Sequence, residues 1–275
     1  MSPVSNAMSL PSWLLLAGLA AFVLFTLGRR RRTAGLLVVG LLAPTYAEED
    51  KKPKPNRAAT KTDMSKHGRH KLFLKRNEDS KHEGDVIFLG DSITQGWEGN
   101  KKAWETFKEF KPVNLGISGD RTGGVLWRIT DGKEIEKLKP KAAVIMIGTN
   151  NLSGGHTPEE IAGGIKAIID SLKEQKPGIK VLLLGVFPRG SRASADKETK
   201  TIPAAKLNAG IKKINDILSK YDDGKVVFYK DIGKEFLDKE GGLPAATMPD
   251  YLHLSGKGYQ LWADAIKGDL QKLTK

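Results

Sequence analysis

A doubly wound, three-layer α/β domain is the architecture the chain predicts, on three observations. Short apolar runs alternate with stretches of helical period from residue 85 onward. Three of the runs are almost uninterrupted in apolar residues, as strands buried on both faces of a parallel sheet are. The stretches between them are long enough for crossover helices, which joins the strands as βαβ units.

The runs Asp85–Gly90 (DVIFLG), Pro112–Gly116 (PVNLG), Ala142–Gly148 (AAVIMIG), Lys180–Phe187 (KVLLLGVF) and Lys225–Asp231 (KVVFYKD) are the five expected strands. Thr157-Pro158-Glu159-Glu160 reads as a capping box with proline at the first helical position. It opens a helix with the stripe Ile161, Ile165, Ile168 and Leu172, which Pro177-Gly178 stops. Leu207, Ile211, Ile214 and Leu218 form the next stripe. Tyr259, Trp262, Ile266, Leu270 and Leu273 form the last, after Ser255.

The chain has 275 residues, a net charge of +13 and no cysteine. Disulfides, cysteine-based zinc sites and thiol catalysis are excluded. Arg29–Arg32 carry four of the thirteen charges, which leaves +9 on residues 48–275. The lysines there are scattered and interleaved with acids, so they read as solvated surface, and no specific nucleic-acid partner is expected.

Residues 1–47 read as a targeting region. Trp13–Gly28 is apolar and slightly short for a membrane span. The arginines follow, then AGLLVVGLLAP, with Thr45 and Ala47 at −3 and −1 of a cut before Glu48. The second unit alone has the form of a secretory signal. The first run is either an anchor or an upstream extension of the true start. Either way the arginines stay inside and the rest is exported, secreted or periplasmic, with membrane attachment only through this segment. Residues 48–70 are polar, lack an apolar period and read as a linker. His67 and His70 fall in it; solvated residues are the expectation there, a metal site the alternative. Residues 71–275 are then the catalytic domain.

In a doubly wound sheet, sites lie beyond the carboxyl ends of the strands. The first run ends in Gly90-Asp91-Ser92, the second in Gly116-Ile117-Ser118-Gly119-Asp120-Arg121, and the third in Gly148-Thr149-Asn150-Asn151. Asp250 and His253 stand before the last helix. Ser92 is either an ordinary turn residue or a nucleophile. A nucleophilic serine needs a base, and His253 is the histidine placed in a turn on this edge. Asp250, three residues earlier, is spaced to orient it. Gly116 offers a backbone N–H, and Asn150 an amide, to a developing oxyanion. Each has an ordinary turn reading taken singly.

Gly90-Asp91-Ser92-Ile93, Gly116, Gly148-Thr149-Asn150 and Asp250-Tyr251-Leu252-His253 together resemble the four sequence blocks of the GDSL or SGNH hydrolases, over about residues 71–275. Asn114–Asp120 and Val125-Leu126-Trp127-Arg128 further resemble the platelet-activating-factor acetylhydrolase catalytic-subunit branch. Ile93 departs from the Leu of the first block, and Asn151 stands where many members have Asp. The resemblance implies a flavodoxin-like α/β/α sandwich with a five-stranded parallel sheet. It implies Ser92 as nucleophile, His253 as base and Asp250 as its orienting acid. The Ser92 N–H, Gly116 N–H and Asn150 amide would form the oxyanion hole. Neither a metal nor an organic cofactor is implied.

Asp91, Trp97, Arg121 and Asn151 are the candidate substrate contacts, with Trp127 a further candidate on the alcohol side unless it is core. The sequence has no long apolar insertion to cover a fatty chain, so a short, acetyl-type ester on carbohydrate is expected. A lipid-directed acylhydrolase and a non-catalytic surface module are the alternatives.

Overall fold

Five strands, β1 (Val86–Gly90), β2 (Pro112–Gly116), β3 (Ala142–Met146), β4 (Lys180–Leu184) and β5 (Val227–Lys230), form one parallel sheet in the order β2-β1-β3-β4-β5. The structure is a computed structural model that describes residues 55–79, 83–190 and 204–275. The expected targeting region, residues 1–47, lies outside them, as does His82.

The helices are α1 (Gly68–Asp79), α2 (Ser92–Gln95), α3 (Lys101–Trp104), α4 (Thr122–Ile129), α5 (Thr149–Ser153), α6 (Pro158–Gln175), α7 (Ala204–Leu218) and α8 (Gly256–Leu273). The pleat divides each strand between two cores. Ile87, Leu89, Leu115, Ala143, Ile145, Val181 and Leu183 face one way and meet the apolar stripes of α4, α6 and α7. Val86, Phe88, Val144, Met146, Leu182 and Leu184 face the other way and meet α8. Trp97, Phe107, Tyr259 and Trp262 fill that second core, with Trp97 within 5.4 Å of the other three ring centroids. Helices on both faces of a parallel sheet make the expected α/β/α sandwich.

The capping box of α6 is present in full: Thr157 accepts from the Glu160 N–H, and Glu160 accepts from the Thr157 N–H. Ser255 caps α8 through the Gly258 N–H.

The linker expected over 48–70 differs from the structure from residue 55 onward. A short 3-10 turn, Arg57–Ala59, packs on α6, and Ala58 is buried. Thr122 Oγ1 donates to Ala58 O at 2.6 Å, and Asn56 Nδ2 donates to Glu160 O at 3.0 Å. A Cβ on Gly164 would lie 2.6 Å from Ala58 O, so α6 accepts this segment only through a glycine. Such contacts run through the Ala58 carbonyl, polar side chains and the Arg57–Glu160 ion pair, which leaves no hydrophobic period to read. The folded domain therefore begins before residue 71.

Helix α1 then covers the outer edge of the sheet. Arg69 Nε donates to Gly116 O at 3.1 Å and Arg76 Nη2 to Asn114 O at 2.7 Å, with both guanidinium groups about the Phe73 ring. Side-chain donors thus occupy carbonyls of β2 that an edge strand otherwise leaves open.

Candidate active site

Strand β1 ends where the chain turns into α2. Asp91 makes the turn: its Oδ1 accepts the Ile93 N–H at 3.0 Å and caps the helix. Ser92 is thereby delivered to the carboxyl edge of the sheet, half-buried. At the opposite end of the chain, the segment before α8 brings His253 to the same edge. Ser92 Oγ lies 2.9 Å from His253 Nε2, and His253 Nδ1 lies 2.7 Å from Asp250 Oδ2. A carboxylate facing Nδ1 requires the proton there, which leaves Nε2 to accept from the Ser92 hydroxyl. The other oxygen of Asp250 accepts the N–H groups of Leu252 and His253, at 3.1 and 2.7 Å. Partial burial pushes the Asp250 carboxyl up, but these bonds outweigh it and hold the group below its usual range.

Asn150 stands at the start of α5, after Gly148. Its Nδ2 donates to Asp120 O at 2.9 Å and, at a longer 3.3 Å, to Asp91 Oδ2. The ends of β1, β2 and β3 therefore converge on one amide group. The longer bond is the weaker one, and it is the one an arriving anion can replace.

Gly116 does not fill its expected role. Its N–H is buried and donates to Asn114 Oδ1 at 2.9 Å. A Cβ there would lie 2.2 Å from Gln95 N, so the glycine exists to let α2 pack on β2. Three residues on, Gly119 sits at the exposed tip of the loop with φ +75°. Its N–H has no acceptor among the described residues, and the next carbonyl along, Asp120 O, holds Asn150. The glycine of this loop that remains open to a ligand is thus Gly119. The Ser-Gly-Asp triplet signals a loop-tip turn, and weighing it against a strand-end glycine, whose N–H is enclosed, would have found it.

The loop is anchored from below by a buried ion network. Arg128 donates from Nε to Asp120 Oδ2 at 3.0 Å and pairs with Glu134 Oε2. Glu134 Oε1 lies 2.8 Å from His70 Nδ1. Burial pushes the Asp120 carboxyl up against the pull of Arg128. His70 is thus buried in the domain, edge-on to Trp127, and not solvated in a linker. His67 Nδ1 accepts from its neighbour Arg69 N. Among the described residues no group of three or more His, Asp or Glu is arranged to hold a metal.

The candidate substrate contacts fare unevenly. Asp91 is fully buried and acts as a cap and as a partner of Asn150. Trp97 is buried at the centre of the aromatic core. Asn151 is buried too, with Oδ1 accepting from Thr122 N and Nδ2 donating to Thr122 Oγ1. All three were polar or amphipathic groups near a motif, and solvent exposure is what a sequence cannot display. Trp127 is half-buried, with its ring edge-on to His70. Arg121 remains on the surface of this edge, its guanidinium against Gly154. Arg189, in the run past the end of the fourth strand, gains a role that the sequence does not assign: buried, it donates from Nη1 to Thr149 Oγ1 and Ser153 Oγ, both at 3.0 Å, and ties the end of β4 to the helix that carries Asn150.

The model of the GDSL-like Lipase/Acylhydrolase family matches residues 88–261. The alpha2 subunit of platelet-activating factor acetylhydrolase IB from Rattus norvegicus is 37% identical over 198 residues, 71% of this chain and 78% of the relative. A GDSL-like lipase from Bacteroides thetaiotaomicron superposes with a TM-score of 0.61 at 23% identity, covering 74% of this chain and 97% of that one. An acetyl xylan esterase, AlAXEase, superposes with a TM-score of 0.52 at 22% identity, covering 67% and 98%. At these identities the two structures show a common fold.

Proposed function

The chain belongs to the GDSL-like lipase/acylhydrolase family and is a carboxylic ester hydrolase, and we propose that it removes short acyl groups, acetyl above all, from carbohydrate by a serine mechanism. The observation that carries the mechanism is the unbroken chain from Ser92 Oγ through the His253 ring to Asp250. In it His253 takes the Ser92 proton as Oγ attacks the ester carbonyl. The carbonyl oxygen becomes an anion, received by the Asn150 amide, the Ser92 N–H and, in place of Gly116, the Gly119 N–H. His253 returns the proton to the departing alcohol. Water then attacks the acyl-serine and loses its proton to His253, which passes it to Ser92 Oγ as the acyl–oxygen bond breaks and the acid leaves. Asp250 keeps the imidazole oriented and stabilises its charged form.

Acetyl is favoured because a relative at 37% identity is an acetylhydrolase. Carbohydrate is favoured by the expected export, by the net-positive chain and by the fold shared with an acetyl xylan esterase. A second reading, a lipid-directed acylhydrolase, has its own support. The same relative is named for platelet-activating factor. A cavity of about 630 Å³ also opens beside Arg189 and Gly190, lined by Val186, Pro188, Ile211, Leu237 and Leu243. We further propose cleavage after Ala47, for which amino-terminal sequencing of the exported protein is the test; a start at Met1 or Met8 would refute it.

Acetate release from acetylated xylan, acetylated amino sugars and a short acetyl phospholipid separates the two readings. Ser92→Ala should lower kcat by roughly 10⁶-fold on whichever ester is turned over. Esterase activity retained in that variant refutes the mechanism, and turnover of the phospholipid alone refutes the carbohydrate substrate.

A further inference from the structure

Two large apolar side chains are exposed among the described residues, Leu72 at 50% and Tyr251 at 44%. Leu72 lies on α1, along the outer edge of the sheet. Tyr251 stands between Asp250 and His253. Its backbone is left-handed, with φ +58°, a conformation that costs any residue with a Cβ and costs an aromatic one more than most. Such strain persists only where surrounding contacts over-determine it, and it concentrates at functional sites.

Here the contacts are explicit. The Tyr251 N–H donates to Met248 O at 3.0 Å, and Tyr251 O accepts the Gly190 N–H at 2.8 Å. A Cβ on Gly190 would fall 2.6 Å from the Tyr251 Cβ and 3.0 Å from the first ring carbon. Only a glycine at the end of the β4 loop lets the tyrosine stand there. The neighbouring residue of that loop, Arg189, reaches Thr149 and Ser153 on the helix of Asn150. The turn sends Leu252 inward, where it is buried, and leaves the tyrosine outward. The left-handed turn itself does not call for tyrosine, since asparagine suits such a position better. What the arrangement provides is a flat apolar face with a polar tip, held on the rim that carries Ser92, Asn150 and His253.

The C–H face of a pyranose ring is the surface such a platform fits. We propose that Tyr251 is a specificity-determining residue on which a sugar ring in the alcohol half of the substrate stacks. The proposal rests on the carbohydrate reading above and names the group that would recognise it.

The test compares acetylated xylotriose with ethyl acetate, which has the same acyl group and no ring. Tyr251→Asn removes the ring and suits the left-handed turn, so it does not depend on a strained variant folding; Tyr251→Phe keeps the face. The expected result is that the preference for acetylated xylotriose over ethyl acetate, as a ratio of kcat/KM values, falls about tenfold in Tyr251→Asn through KM. Tyr251→Phe should hold most of the preference. An equal loss on both esters would make the residue a brace for Asp250 and overturn the proposal. An unchanged ratio with acetylated xylotriose still hydrolysed overturns the proposal and leaves the carbohydrate reading standing. A wild-type enzyme that cleaves ethyl acetate and ignores acetylated xylotriose overturns both.

Discussion

Asp91→Asn has a consequence that can be worked from the structure. Asp91 has no solvent exposure. Burial is the largest influence on its carboxyl and pushes it from 3.8 to about 7. The Ile93 N–H opposes that rise, the Asp120 charge adds to it, and Arg189 opposes it. Asn150 Nδ2 faces the same group, and the Tyr259 hydroxyl, which donates to Ile93 O, lies near enough to feel its charge. The folded protein thus holds this proton up to about 7, whereas the unfolded chain releases it near 3.8. Folding takes up a proton in between. The stabilisation is complete below the unfolded value and is lost as pH rises through the folded one. A gap of about three pKa units is worth about 4 kcal/mol in all, of which about 2–3 kcal/mol disappears between about pH 5 and about pH 8. Asparagine cannot titrate. It keeps an oxygen for Ile93 and turns an amide toward Asn150, a penalty independent of pH. The stability of Asp91→Asn relative to wild type should therefore rise by about 2–3 kcal/mol from about pH 5 to about pH 8. Urea unfolding of both proteins at the two pH values reads it, with the m-values compared to check that the transition is of one kind. A difference that stays constant with pH would refute the assignment of this proton to Asp91.

Three further perturbations test other parts of the site. Asn150→Ala should cost about 2.7–4 kcal/mol in kcat/KM if the amide receives the oxyanion; an unfolding midpoint that drops in step with activity would mean the residue serves only to join Asp91 and Asp120. Arg128→Met leaves Asp120 and Glu134 buried without their cation, so the urea midpoint should show a loss of about 3–5 kcal/mol, and near-wild-type stability would show that His70 alone neutralises the pair. Gly116→Ala drives a Cβ to 2.2 Å from Gln95 N, so circular dichroism and activity should fail together; a folded but inactive variant would return Gly116 to the oxyanion hole.

The sheet was legible because buried parallel strands are nearly all apolar, and the five runs match β1–β5 to within a few residues. The helices α6, α7 and α8 were legible from stripes that do end up against the sheet. The rule that places sites beyond carboxyl ends then gathered Ser92, Asn150 and His253 on one edge without any coordinates. The three misplaced substrate contacts share one cause. Trp97, Asp91 and Asn151 sit near motifs in sequence, yet depth below the surface is set by packing from remote segments. The aromatic neighbours of Trp97 include Tyr259 and Trp262, far along the chain. The segment from residue 55 carries no periodic signal, since its attachment runs through the Ala58 carbonyl, the Asn56 amide and the Arg57–Glu160 ion pair.

By itself the sequence determined the layer architecture, the strand ends and the residue types that meet there, since these follow from local period and from chain order in a parallel sheet. Which glycine keeps an open N–H, Gly116 or Gly119, only the tertiary structure decided, because that depends on where the Asn114 side chain turns and how closely α2 approaches β2. The left-handed turn at Tyr251 belongs to the same class. It is imposed by the Gly190 backbone, some sixty residues earlier in the chain, and no local preference of tyrosine foretells it.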